Sequence, residues 1–141
     1  MNRKPIVRSG KPYPFLRTTV VVANPLTGRQ VTLNENCMVD TGFDKDVFVA
    51  GYHTLEITQL GLRLYDVKIT LADGREVMGK SCFARVEKIA EFEFPRPGIE
   101  INLLCYGEPK NSLLGLRLLS RWIAEFHGPK HLLTLFEPNV S

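Results

Sequence analysis

Cysteine, histidine and tryptophan are scarce in this chain of 141 residues: three cysteines, three histidines and a single tryptophan. Cys37, Cys82 and Cys105 are odd in number, widely spaced, and each set in an apolar stretch. That pattern fits reduced core thiols in a cytosolic protein better than a disulfide framework or a metal site. Two of the histidines, His127 and His131, stand four apart, but Gly128-Pro129 between them excludes the helix that would put both on one face as metal ligands. No metal and no cofactor is expected. No apolar run approaches the length of about 20 residues that a membrane helix needs, and no signal-peptide pattern opens the sequence. The expectation is therefore a cytoplasmic protein with no membrane partner. A formal net charge of +3 is too small to argue for nucleic acid, and part of it comes from Arg3, Lys4, Arg8 and Lys11. Internal repeats and low-complexity segments are missing as well.

What is present is ordinary globular composition, 44% hydrophobic and 23% charged, enough for one core in one domain. Residues 1–14, basic and interrupted by Pro5, Pro12 and Pro14, read as a solvated N-terminal arm. Residues 15–141 form the single domain. Thr18, Thr19, Val20, Val21 and Val22 make residues 15–23 a strand, Asn24 to Gly28 a turn, and residues 29–33 the return of a hairpin. Asn34-Glu35-Asn36 reads as a second turn, so three short strands follow one another as a meander. Val47 to Ala50 is another apolar run. Residues 53–62 suit one or two helical turns with Leu55, Leu60 and Leu62 inward. Val67, Ile69 and Leu71 alternate with Lys68 and Thr70, Asp73-Gly74 supplies a turn that tolerates positive φ, and residues 76–86 run back. Ile99, Ile101 and Leu103 alternate once more. Ser112 to Gly115 is a buried strand ending on glycine, Leu116 to Trp122 a short helix with Leu118, Leu119 and Trp122 inward, and residues 123–136 a last hairpin. Glu87, Glu91 and Glu93 read as a solvated strand face.

The chain is organised around Asp40-Thr41-Gly42. It follows Cys37-Met38-Val39, a short apolar run that reads as a buried strand ending on an acid. A carboxylate held where a packed strand stops is fixed by the scaffold yet reachable by a ligand. The three residue types are also ordinary turn formers, and such a tripeptide arises by chance in a chain of this length on the order of a few per cent of the time. The motif gains weight from its companions. Val39-Asp40-Thr41-Gly42-Phe43, Leu71-Ala72-Asp73-Gly74 and Leu113-Leu114-Gly115-Leu116-Arg117-Leu118-Leu119 occur in order. Together they resemble the retropepsin-like aspartic proteases, in particular the cellular single-domain type.

The resemblance covers roughly residues 20–136 and implies an all-β fold: a closed or partly open acid-protease-like barrel with one short C-terminal helix, working as a two-fold homodimer. It implies that Asp40 is the catalytic acid, that Thr41 hydrogen-bonds across to its counterpart loop, and that Gly42 leaves room for substrate backbone. Phe43 and Asp44 would border the substrate, while Ala72, Asp73 and Gly74 would lie at or near the turn of a flap. Two positions depart from the retroviral pattern. Phe43 replaces a small residue, as is common in the cellular branch, and Leu116 stands where the retroviral enzymes have arginine. Arg117 follows one residue later, which leaves open whether it pairs with Asp44.

Aspartic protease chemistry takes two carboxylates, one ionised to remove a proton from water and one protonated to donate to the scissile carbonyl. This chain holds one Asp-Thr-Gly and no second Asp-Thr/Ser-Gly. The second acid must then come from another copy, across an isologous interface. In the family the chain ends form an intersubunit sheet, and residues 131–136 are the apolar segment suited to it. The expected function is an endopeptidase acting on a peptide or protein substrate. The alternative is a catalytically silent dimer of the same fold that binds peptides or holds two chains together.

Overall fold

A computed structural model describes residues 5–9, 15–50, 53–70, 73–106, 111–130 and 132–137. Two antiparallel strands open the barrel, β2 (Phe15–Ala23) and β3 (Gln30–Asp40), paired from Phe15↔Met38 to Ala23↔Gln30. The turn between them is held by Asn24, whose carbonyl accepts the Gly28 N–H at 2.9 Å and whose side chain accepts the Leu26 N–H at 2.9 Å. The second turn expected at Asn34-Glu35-Asn36 does not form: β3 runs through it without a break. Each of the three finds a partner that a strand provides. Asn34 accepts the Thr19 hydroxyl at 2.8 Å, Asn36 sits opposite Arg17, and Glu35 turns inward to accept the ring N–H of His53, itself buried.

Four further strands close the barrel. β4 is Val47–Ala50, β6 is Glu76–Ile89, β8 is Ile99–Tyr106 and β9 is Leu113–Gly115. Hydrogen-bonded neighbours run β2, β3, β9, β4, β8, β6 and back to β2. The expected all-β closed barrel is therefore present. Its core is aliphatic and continuous: Val20, Leu33, Val47, Val86, Leu103, Leu114 and Leu118 are all fully buried. The three thiols lie in it too, and burial pushes Cys37 up to about 12, Cys82 to about 11 and Cys105 to about 12.

β5 (Tyr65–Thr70) pairs with the first half of β6 and forms the hairpin anticipated there. The last pair is Thr70↔Glu76, so the connection spans residues 71–75 and is longer than a two-residue turn. β7 (Phe92–Glu93) folds back on the end of β6. Helix α1 (Thr54–Thr58) buries Ile57 and leaves Leu55 66% exposed, the reverse of the inward face assigned to Leu55. The helix is a single turn, and Ile57 with Leu60 at i+3 reaches the core where Leu55 cannot. Helix α2 (Leu116–Leu119) buries Leu118 and Leu119. Trp122 lies just beyond it and stacks on Phe94 with ring centroids 5.7 Å apart.

The chain ends form a separate three-stranded sheet of β1 (Pro5–Ser9), β11 (Leu132–Phe136) and β10 (Ile123–His127), in that order. Two readings change here. Residues 5–9, taken as part of a solvated arm, are a strand against β11. β11 is a central strand with both edges bonded within its own chain, so it has no edge left for an intersubunit sheet. Among the described residues the outer edges of this sheet belong to β1 and β10.

A raised thiol pKa disfavours ionisation in the folded state, so folding stability is present below the ordinary value of 9.0 and is lost as pH climbs towards the folded values. Because the thiolate is the reactive form, none of the three cysteines is expected to react with a chromogenic disulfide reagent at about pH 8 in the native protein. All three react once the chain is unfolded. Fast native-state labelling would show that these thiols are not core residues.

Candidate active site

Asp40 is the last residue of β3 and lies opposite Gly115 in a parallel pairing that also joins Met38 to Leu113 and Val39 to Leu114. β9 is antiparallel to β4 on its other side. A strand of three residues thus stands between the strand that carries Asp40 and the strand that leaves its loop. The side chain of Asp40 is half-buried. Its Oδ1 accepts the Gly42 N–H at 2.9 Å, and its carbonyl accepts the Phe43 N–H at 3.2 Å. These two bonds curl the loop back on the acid and leave Thr41 and Gly42 exposed. A Cβ on Gly42 would stand 3.2 Å from the Asp40 Oδ1.

The loop crosses the start of α2 at backbone distance. Gly115 N–H donates to the Asp46 carbonyl at 2.8 Å, Leu116 N–H to Phe43 at 2.7 Å, and Arg117 N–H to Lys45 at 3.2 Å. A Cβ on Gly115 would meet the Lys45 carbonyl oxygen at 2.1 Å and the Phe43 carbonyl oxygen at 2.8 Å. Only glycine fits. Leu116, in the position of the retroviral arginine, is 47% exposed beside this crossing.

Asp46 is a site residue that the sequence reading missed. It is buried, its Oδ2 accepts the Asn102 N–H at 3.1 Å, and its Oδ1 faces Arg117 Nε at 4.0 Å. Arg117 therefore turns to Asp46, while Asp44 is exposed. The signal was available: Asp46 abuts Val47 to Ala50, a run buried at every position. An acid at the lip of such a run is itself buried and needs partners. Ser112 was missed in the same way. Its hydroxyl accepts the Ala50 N–H at 3.2 Å and its carbonyl the Met38 N–H at 2.8 Å, which ties β3, β4 and β9 together at their far end.

Phe43 is half-buried and meets Phe48 edge to face, with ring centroids 6.2 Å apart. It packs on a second, smaller core of Phe48, Ile69 and Leu104 together with Val67 and Val77. Ile69, Val67 and Val77 belong to the β5–β6 hairpin, so Phe43 shares this small cluster with that hairpin. At the hairpin end Gly74 has φ +87°. Asp73 Oδ1 accepts the Arg75 N–H at 3.0 Å and Oδ2 accepts its Nε at 2.7 Å. The Arg75 backbone N–H, and then its side chain, hold the Asp73 carboxyl below its ordinary value. Ala72 and His131 lie outside the described residues. Among the described residues no group of three potential metal ligands occurs. A cleft of about 680 Å³ lies apart from the loop, while clefts of about 340 and 260 Å³ are both lined by Asp46 and Arg117; none of the three is lined by Asp40.

No family model matches the chain, and no curated protein matches it. Among solved structures it is similar to the crystal structure of a retropepsin-like aspartic protease from Rickettsia conorii, over 92% of this chain and 99% of that one. The identity is 20% and the TM-score 0.42, a likeness of outline from which neither activity nor assembly is read.

Forcing a methyl group against two carbonyl oxygens has no soft neighbour to absorb it. Gly115→Ala is expected to destabilise the fold by at least about 3 kcal/mol, measured by denaturant unfolding. A loss below about 1 kcal/mol would mean that the two loops do not approach this closely.

Proposed function

We propose that this protein is an aspartic endopeptidase whose catalytic pair consists of Asp40 from each of two protomers. The observation that carries this reading is the single carboxylate at the end of β3, fixed by the Gly115 crossing and left half-exposed. A lone acid there is half of a general acid–base pair. The neighbouring acids do not fill the role, because Asp46 is buried and bonded to Asn102 and Asp44 is on the outside. A two-fold axis beside Asp40 supplies an identical carboxylate by symmetry. The exposed Leu116 next to the crossing is apolar surface that a second protomer would cover.

In such a pair one Asp40 is ionised and takes a proton from water as the water oxygen attacks the scissile carbonyl. The other is protonated and donates to the carbonyl oxygen. Collapse of the tetrahedral centre returns a proton to the leaving amine. Hydrolysis needs one shared proton, so the pH profile is bell-shaped, falling where both acids are neutral and where both are ionised. The β5–β6 hairpin, which shares its small cluster with Phe43, would cover the substrate and exclude water. Because Phe43 belongs to the same loop as Asp40, movement of the hairpin and the position of the acid are mechanically joined.

Asp40→Asn is expected to abolish peptide hydrolysis, since an amide neither accepts the water proton nor shares one with its twin. The dimer should persist or tighten, because two amides need no shared proton to avoid the repulsion of like charges. Peptide-library cleavage by the parent and the Asn variant across pH, with sedimentation of both, decides the matter. Equal activity in both sinks the assignment. No activity in either points to a silent binding module, and full activity in a strict monomer rules out the shared pair.

Gly74→Val tests the hairpin. A β-branched residue resists φ +87° at a cost of about 1–2 kcal/mol. Turnover is expected to fall about tenfold or more, with folding much less affected. Unchanged turnover would remove this turn from the catalytic cycle.

A further inference from the structure

We propose that a gap in the barrel wall, away from Asp40, binds a short extended peptide bearing apolar side chains and a carboxylate. The gap comes from the way β6 changes partners. Along one edge it is bonded to β8 from Lys80 to Val86. Along the other, β5 covers it as far as Ser81, opposite Tyr65, and β2 takes over at Arg85, opposite Val21. Cys82, Phe83 and Ala84 fall between and have no ladder partner on that side. Both backbone polar groups of an antiparallel residue point to one edge, and successive residues alternate. This stretch therefore directs N–H and C=O groups into the gap, an edge on which an added strand can pair.

A cleft of about 680 Å³ occupies the opening, within the span of roughly 300–1,000 Å³ typical of ligand sites. Val21, Ala23 and Leu62 give it apolar walls, and Phe83 stands at its mouth 75% exposed. The far wall is fixed in place: Asn24 Nδ2 donates to the Leu60 carbonyl at 2.8 Å and joins the turn after β2 to the segment after α1. Two cations and one acid line the cleft. Arg63 lies over the Tyr65 ring at 5.7 Å. Arg85 reaches Glu87 with one terminal nitrogen at 3.6 Å, while its Nε is buried with no hydrogen-bond partner. Glu100 is the only carboxylate among the lining residues. An unpaired strand edge calls for extended backbone, the walls call for apolar side chains, and the exposed guanidinium of Arg63 calls for a carboxylate. An acidic, alternately apolar peptide satisfies all three.

The site shares no lining residue with the Asp40 loop, so its test is separate from that of hydrolysis. The probe is a fluorescein-labelled Gly-Val-Thr-Val-Glu peptide with a free C-terminus, followed by anisotropy against the full chain, with backbone amide shifts recorded in parallel. Asp40→Asn is titrated alongside the parent so that cleavage is not mistaken for weak binding. Saturable binding is expected on both, with shifts at residues 61–65 and 82–84. Phe83→Ala and Arg63→Ala, both exposed positions, should each weaken it by about tenfold at unchanged Tm. Amidating both carboxylates of the peptide should weaken it comparably. Failure to saturate by about 1 mM, shifts confined to the Asp40 loop, or equal affinity in both variants overturns the proposal. Concentration-dependent self-association that Phe83→Ala abolishes, without peptide binding, overturns it too, because the gap is then a contact between copies.

Discussion

The structure depends on one close approach, the crossing of residues 43–46 over Gly115. Three backbone hydrogen bonds of 2.7 to 3.2 Å join the two segments there, and no side chain separates them. Their consequence reaches both ways along the chain. In one direction they hold β9 in parallel register with β3, which sets Asp40 opposite Gly115 and not one residue to either side. A slip of one residue would turn every side chain of a strand to its opposite face. In the other direction they set where α2 begins, and so where Leu118 and Leu119 enter the core.

Two side chains secure that crossing by opposite means. Phe43 joins the loop to the small apolar cluster that the hairpin also enters through Ile69, Val67 and Val77, a packing that is tolerant of small displacement. Asp46 joins it to β8 through a hydrogen bond from Asn102 and faces Arg117, which is not. A buried carboxylate that loses its donors keeps the desolvation penalty without the compensation, a cost of several kcal/mol. The loop is therefore held at both ends, at Phe43 by its carbonyl, which accepts the Leu116 N–H at 2.7 Å, and at Asp46 by its carboxylate, which suits an acid that must stay in place.

Much of this was legible because local pattern and tertiary role agree. The run Thr18 to Val22, the turn at Asn24 and the alternation of Ile99, Ile101 and Leu103 mean the same thing in isolation as in the barrel. The misreadings fall where a long-range partner overrides local chemistry. Asn34, Glu35 and Asn36 are turn formers, yet Thr19, His53 and Arg17 hold them in a strand. Leu55 outranks Ile57 in helix propensity, but a single helical turn meets the core over only one narrow arc, and Ile57 occupies it. Asp46 is one of three acids within seven residues. Only the strand it precedes distinguishes it from Asp44.

The terminal sheet constrains how two protomers would meet. β11 is the most apolar strand of the three, with Leu133 and Leu135 buried, and apolarity alone marks it for an intersubunit role. Its placement between β1 and β10 uses that apolar surface inside the protomer. A second chain extending this sheet would have to add at β1 or β10, and β10 carries exposed Glu125 and Phe126 beside His127. Charged side chains on an outer strand oppose strand addition. The proposed meeting of two Asp40 loops then relies on the surface around the Gly115 crossing, where Leu116 is exposed, and the outer edge of β1 is the place left in the terminal sheet for a second chain. Affinity at such an interface follows the fit of a few apolar anchors and not area alone. Under this reading dimerisation and completion of the catalytic pair are the same event at the same residues.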